Sequence, residues 1–376
     1  MLVTLALTAV ASFVGAVVLS FFQVLPPAAI MHLALAVGVM PLIMGAMTHF
    51  VPVLSLSTTA HIIVRLIPLL AMTAGALTFF SLAVANQVYF SASHLALAAT
   101  VVFAAWIVRR AIRAVGKPHP CLYWYLGAIA CLILALVAVS GMALWPEQRQ
   151  ALKRLHLHLN TLGFIGLTAV ATLQVLMPTV VGRPDPQAAA RLRQHLKWAV
   201  GGTLLVAIGA AWFKPLAYLG IALWVIPLVQ LGRAWIALYF REICQPNGAA
   251  ASLAAAYIGF IAMLLFGALH AYGILNTADA TLAFILAFLL PLVTGAVSQL
   301  LPIWVRTGPQ TVWHAQVRQQ LGAGAGYRAM LFLAGGLLVG LGWRGGLMLS
   351  IAALIIFILQ LAVATRCHGN DRRIGQ

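Results

Sequence analysis

The sequence predicts an all-α polytopic membrane protein, a single integral domain over residues 1–376, and three observations lead to this fold class. Of the 376 residues, 63% are hydrophobic and only 7% are charged. The apolar residues form long runs, each able to cross the hydrocarbon core of a bilayer as one helix. The charged residues fall mainly in short segments between these runs. A protein surrounded by the lipid bilayer is therefore expected.

Hydrophobic runs of the length that a bilayer requires predict twelve spans. In chain order they cover 2–24, 29–54, 62–86, 91–113, 121–145, 155–181, 196–213, 215–238, 252–275, 279–305, 327–343 and 345–366. The first run has no basic segment ahead of it, so we interpret it as a retained span and not as a cleaved signal peptide.

The positive charges are distributed unevenly between the two sides of the predicted bundle. Of the 22 Lys and Arg residues, 17 lie in loops after even-numbered spans or at the C-terminus. The positive-inside rule then places these loops and both termini in the cytoplasm, as expected for a bacterial inner-membrane protein. The net charge of +17 therefore indicates membrane orientation and does not suggest nucleic-acid binding.

The second, sixth and tenth spans share a pattern that indicates an internal repeat. They close with Pro52, Pro178 and Pro302, which are 126 and 124 residues apart, and His32 and His158 are also 126 residues apart. The spacing predicts three pseudo-repeated blocks of four helices. The blocks are 1–116, 117–245 and 246–376.

Five histidines are predicted to lie in the outer third of the membrane. They are His32, His94, His156, His158 and His270. Histidine inside a bilayer is costly and usually functional, and neutral imidazole is a good ligand for haem iron and for copper. His156 and His158 are separated by about 200° of helical rotation, so they face nearly opposite ways and each could serve a different cofactor. The alternative is that these are interfacial histidines hydrogen-bonded to their neighbours.

Three cations, Arg149, Lys153 and Arg154, precede this histidine pair on the side where cations are scarce. The positive-inside rule does not explain them. Haem propionates would explain these cations, because each propionate carries a carboxylate that favours a cation. Lipid phosphate is the alternative partner. The four cysteines form no CxxC or CxxCH motif, which argues against covalently attached haem and against a thiolate metal site.

Two motifs resemble the catalytic subunit I of haem–copper oxidases. The segment from Met40-Pro41 to Val51-Pro52 is similar to the family's second helix, where a histidine ahead of the motif binds the low-spin haem; His32 matches it. His156-Leu-His158 is similar to the His-x-His of the family's tenth helix. The resemblance implies that His32 and His158 hold a low-spin haem b and that His156 serves a second haem.

The departures from this family limit the activity that the resemblance implies. The His-x-His pair lies on the sixth span, and the chain has neither adjacent histidines nor a His-Pro-Glu-Val-Tyr segment. A copper site would have to use His270, with His94 or His49, as ligands in place of the family's adjacent histidines. A proton-pumping terminal oxidase is not expected, because the spans contain almost no acidic residue.

The layout also resembles that of NnrS-type proteins of the nitric-oxide response, which are single chains of about twelve helices that bind haem and copper. The expectation is a haem-binding redox protein, with copper as a second candidate cofactor, in electron transfer or in nitric oxide or oxygen handling. A quinol or a cytochrome would donate the electrons. Two other classes stay open: a cofactor-free transporter with twelve spans, and an assembly factor that delivers haem or copper.

Overall fold

The computed structural model describes residues 1–374, with side chains up to residue 364, and this part of the chain is helical without strands. Eleven of its helices are long and apolar enough to cross a membrane. The prediction of an all-α polytopic membrane protein is thereby confirmed. Contact of the apolar helix faces with the lipid bilayer follows.

The helices match the predicted spans in order. They are α1 (Leu2–Phe22), α2 (Pro27–Leu54), α3 (Ile62–Ala83), α4 (Val88–Ile112), α5 (Cys121–Leu144), α6 (Pro146–Val181), α7 (Ala188–Ala211), α8 (Lys214–Ile243), α9 (Ala250–Ala271), α10 (Thr277–Val305), α11 (Val312–Gly340) and α12 (Gly346–Ile374). Only α7 is not among the eleven candidate spans of the described chain. Its 24 residues begin with a polar segment that contains Arg191, Arg193 and Lys197.

Helix α6 begins at Pro146, nine residues before the predicted start of the sixth span. Its 36 residues give a length of about 54 Å, which exceeds the hydrocarbon core of about 30 Å. Arg149, Lys153 and Arg154, which lie before the predicted span 155–181, are therefore part of the helix, and the predicted start of this helix is wrong. A hydropathy run detects only the part of a helix that lipid surrounds, and the amphipathic first turns of α6 escape it.

The predicted loop 306–326 is also largely helical. Its residues Val312–Gly322 form the first section of α11, which is interrupted at Ala323 and Gly324 before the helix resumes. The buried Arg328 guanidinium donates hydrogen bonds to the carbonyls of Leu321 and Ala323, both at 2.9 Å. The break is therefore capped by a side chain.

The chain forms two compact units. Unit 1 comprises Met1–Val175 and Asp185–Ala234, and unit 2 comprises Leu176–Pro184 and Trp235–Gln376. Within unit 1, α2 packs most closely against α1 and α3, and the first half of α6 against α5 and α7. The three predicted blocks stay a prediction.

Glycines allow the closest helix approaches within unit 1. A Cβ atom on Gly75 of α3 would lie 2.2 Å from the Ala36 carbonyl oxygen of α2. On α7, a Cβ on Gly202 would lie 2.8 Å from the Gly220 carbonyl oxygen of α8. Small residues at such contacts let membrane helices pack backbone to backbone.

Candidate functional site

The rings of His32 and His156 come together within unit 1. His32 is the sixth residue of α2, and His156 lies in the third turn of α6. Their ring centres are 6.3 Å apart and their planes differ by only 13°. Both side chains are half-buried. Two imidazoles from separate helices therefore meet at one level of the bundle.

The tautomer of both rings follows from their hydrogen bonds. His32 Nδ1 lies 2.7 Å from the Ala28 carbonyl oxygen, and His156 Nδ1 lies 2.9 Å from that of Ala135 on α5. A carbonyl oxygen can only accept, so each Nδ1 carries the proton and each Nε2 keeps a lone pair. The Asn160 amide nitrogen is 3.4 Å from His156 Nε2, but its shorter bond, 2.8 Å, goes to the His156 carbonyl oxygen.

His158 repeats the arrangement of His32 at the matching position of α6. Its Nδ1 donates to the Arg154 carbonyl oxygen at 2.8 Å, four residues back, as His32 does to Ala28. Donation of Nδ1–H to a carbonyl is the usual way in which proteins orient a histidine that binds a metal through Nε2. The implied pairing of His32 with His158 stays a prediction, whereas the parallel ring contact involves His156.

A π-helical segment follows each of these two positions directly. The segments are Leu33–Val39, after His32, and Leu159–Leu167, after His158. A third, Phe284–Leu289, lies at the corresponding place in α10. Such wide turns inside α-helices occur frequently at functional sites. The three segments begin at similar distances before Pro52, Pro178 and Pro302.

Polar side chains stabilise the change from α to π geometry in α6. Asn160 donates to the His156 carbonyl oxygen at 2.8 Å, and Thr161 donates to that of Leu157 at 2.9 Å. A transition to i→i+5 bonding leaves backbone groups without their usual partner, which is costly in a bilayer. These two bonds therefore hold the turn that carries His156.

The third repeat position has no imidazole. Ala283 precedes the π segment of α10, and the space beside that segment is occupied by the rings of Phe260, Phe284 and Phe288. Phe288 lies 5.1 Å from each of the other two ring centres. This part of unit 2 is therefore filled by an apolar cluster.

Cations surround the N-terminal end of the histidine-bearing segment of α6. Arg149 donates to the Tyr89 hydroxyl at 2.8 Å. Lys153 is close enough to His32 to act on it electrostatically. Lys153 and Arg154 are exposed. Both side chains therefore lie on the outside of the bundle, next in sequence to the histidines of α6. The only acidic residue near them in the sequence is Glu147.

The other two candidate ligands are engaged elsewhere. The exposed His94 has its Nε2 3.0 Å from the Ser140 hydroxyl. In unit 2, His270 donates from Nδ1 to the Leu275 carbonyl oxygen at 3.0 Å, and its Nε2 lies 3.3 Å from the Thr277 hydroxyl. Within residues 1–364, no three His, Cys, Asp or Glu side chains are grouped so that they could hold a metal ion. Copper bound by several histidines therefore stays a prediction without a matching cluster.

Three contacts of the site were not anticipated from the sequence: the Ala135 carbonyl, Asn160 and Tyr89. Asn160 carries a signal, because an amide four residues after His156 lies on the same helix face. A backbone carbonyl carries no such sequence signal, since any residue supplies one.

A comparison with protein-family models finds no match, and a comparison with curated proteins finds none either.

Proposed function

We propose that this chain is a haem-binding redox protein of a bacterial inner membrane, with both termini in the cytoplasm, and that the His32 and His156 side chains would hold a b-type haem. The proposal is carried by one observation, the parallel imidazoles of α2 and α6 with ring centres 6.3 Å apart. Copper as a second cofactor, implied by the resemblance, has less support, because it requires more protein ligands than a haem iron does.

The ring separation agrees with ligation of a single iron. His32 and His156 would hold this iron through Nε2, since a metal–nitrogen bond is about 2 Å long and the two ring centres lie 6.3 Å apart. Both Nε2 atoms carry the lone pair that coordination needs. A porphyrin supplies four further nitrogens, so two protein ligands complete the iron.

The surrounding residues also fit a haem. α2 packs mainly against α1 and α3, and the first half of α6 packs mainly against α5 and α7, so the two histidines are held by different helix pairs. Lys153 and Arg154 would pair with the propionates, whose carboxylates favour cations at the membrane surface. The Ala28 and Ala135 carbonyls would keep both imidazoles oriented and raise their basicity as ligands.

A bound haem supplies one-electron chemistry, and a quinol or a cytochrome is the class of donor that would reduce it. With two histidine ligands, the function is electron transfer. Handling of nitric oxide or oxygen, implied by the resemblance, would require a haem with an open position, and His158 is the candidate ligand of such a second group.

The test is the absorption spectrum of the full-length protein, purified after expression with haem in ample supply. We expect a low-spin b-type spectrum, with about one haem per chain. His32→Ala and His156→Ala should each abolish the low-spin signal. His49→Ala, on the same helix as His32 but near its other end, is the matched control and should keep it.

A colourless protein would contradict the proposal and would favour a cofactor-free transporter. Loss of the low-spin signal in His158→Ala, with retention in His156→Ala, would replace the proposed pair by His32 and His158. Retention in all three single variants would show that none of these histidines is an axial ligand.

A further inference from the structure

A second candidate site lies in unit 1, apart from the histidine pair. A cavity of about 570 Å³ opens between the first turns of α7 and the second half of α8. Its walls include Arg193, His195, Lys197 and Trp198 from α7, with Ile226 and Gln230 from α8. Five of its eight lining residues are polar or charged, and the other three add apolar surface to its walls.

The packing of α7 against α8 explains why a cavity forms at this end. The two helices meet backbone to backbone at Gly202 and Gly220, and again at Gly209, where an added Cβ would lie 2.3 Å from the Ala217 nitrogen. Towards the start of α7 the contact residues become larger, with His195 facing Gln230. The helices therefore enclose open space there.

The charge of the cavity is positive and is not neutralised by its own walls. Arg193 and Lys197 are exposed, and no acidic side chain lines the cavity. The nearest acidic residue in the chain, Asp185, is buried and forms an ion pair with Arg191. Lys197 Nζ lies 5.2 Å from the centre of the Trp198 ring, which holds the ammonium beside the cavity wall.

A buried histidine orients the amide on the opposite wall. His195 is only 4% exposed, and its Nε2 lies 2.8 Å from Gln230 Oε1. Since Oε1 can only accept, His195 donates, and the amide nitrogen of the exposed Gln230 is left as a donor towards the cavity. The cavity thus offers a guanidinium, an ammonium and an amide N–H, all of which donate.

We propose that this cavity binds the phosphate of an anionic phospholipid head group. Phosphate oxygens accept from Arg, Lys and amide donors, and basic pockets between membrane helices are typical sites for phospholipid head groups. The polar start of α7 and the half-buried Trp198 are features of a helix end at the membrane surface, where such head groups lie. Ile226 would contact the glycerol and the first carbons of the acyl chains.

The test is lipid binding to delipidated full-length protein in detergent, followed by native mass spectrometry with cardiolipin, phosphatidylglycerol or phosphatidylcholine as the added probe. We expect both anionic lipids to bind more tightly than phosphatidylcholine. The double variant Arg193→Gln/Lys197→Gln should weaken anionic-lipid binding about 30-fold, since each cation near a membrane surface contributes about fivefold.

The matched control is Arg113→Gln/Lys117→Gln, which removes the same charge from exposed positions that do not line the cavity. A second variant, Gln230→Glu, keeps the acceptor for His195 but replaces the amide donor by a carboxylate, and it should also weaken anionic-lipid binding. Equal losses in the cavity variant and in the control would overturn the proposal. Binding of inorganic phosphate as tight as that of the lipids would overturn the assignment to a lipid. None of these measurements depends on haem.

Discussion

The close approach of α3 to α2 gives a quantitative test of how the π segment after His32 is held. In Gly75→Ala, the new Cβ would lie 2.2 Å from the Ala36 carbonyl oxygen and 3.0 Å from the Val37 nitrogen. These atoms are backbone, so no side-chain rotation can relieve the contact. The helices must separate by roughly 1 Å to restore an ordinary van der Waals distance.

The expected loss of stability is the difference of two effects. Overpacking of this kind costs about 1–3 kcal/mol, and a backbone contact places it at the upper end. Replacement of glycine by alanine within a helix returns up to about 1 kcal/mol. The net loss for Gly75→Ala is therefore about 2 kcal/mol. Gly267→Ala on α9 is the matched control, because its Cβ would meet no atom within 4 Å, and it should be neutral or slightly stabilising.

A third variant distinguishes a loss of stability from an effect on the candidate haem site. In Gly259→Ala, the Cβ would lie 2.0 Å from the Ala287 carbonyl oxygen, on the π segment of α10 that no histidine precedes. Thermal unfolding in detergent should show losses for Gly75→Ala and Gly259→Ala, but only Gly75→Ala should alter the haem spectrum. Unchanged unfolding temperatures in both variants would refute the packing argument. A changed spectrum in Gly259→Ala alone would refute the placement of the site in unit 1.

Two further predictions concern other parts of the chain. Burial, and to a lesser extent the Arg193 cation, hold the pKa of His119 below its ordinary value of 6.5. An imidazole NMR titration should show that this pKa rises in Arg193→Gln. The free energy of unfolding should fall as the pH drops below about 6.5, because the unfolded chain then binds the proton first. A pKa of His119 that is the same in Arg193→Gln would show that the Arg193 cation does not lower it. Arg328→Leu removes the side chain that caps the break in α11, and it should lower the free energy of unfolding by about 2–4 kcal/mol in chemical denaturation. Arg344→Leu, at an exposed position, should lower it little. Equal losses in the two variants would contradict the capping role of Arg328.

The order and approximate bounds of the helices could be predicted from the sequence, because a bilayer imposes one strong requirement on every span. Where the predicted bounds failed, as at the start of α6 and in the first section of α11, the helix continues into polar residues. Such segments are stabilised by contacts that hydropathy does not register. Leu152 and Leu155 of α6, for example, contribute to an apolar groove with α5 and α7.

The sequence also identified the candidate ligands, since histidine in a span is rare and the interval between His32 and His158 repeats that between their closing prolines. It determined how residues are arranged around a single helix, and therefore that His156 and His158 point in different directions. Only the tertiary structure decided that the ring beside His32 is that of His156. The reason is physical: a linear pattern fixes rotation about a helix axis, whereas the partner across the gap depends on helix packing and on the wider turns of the π segments, which change the phase of each helix.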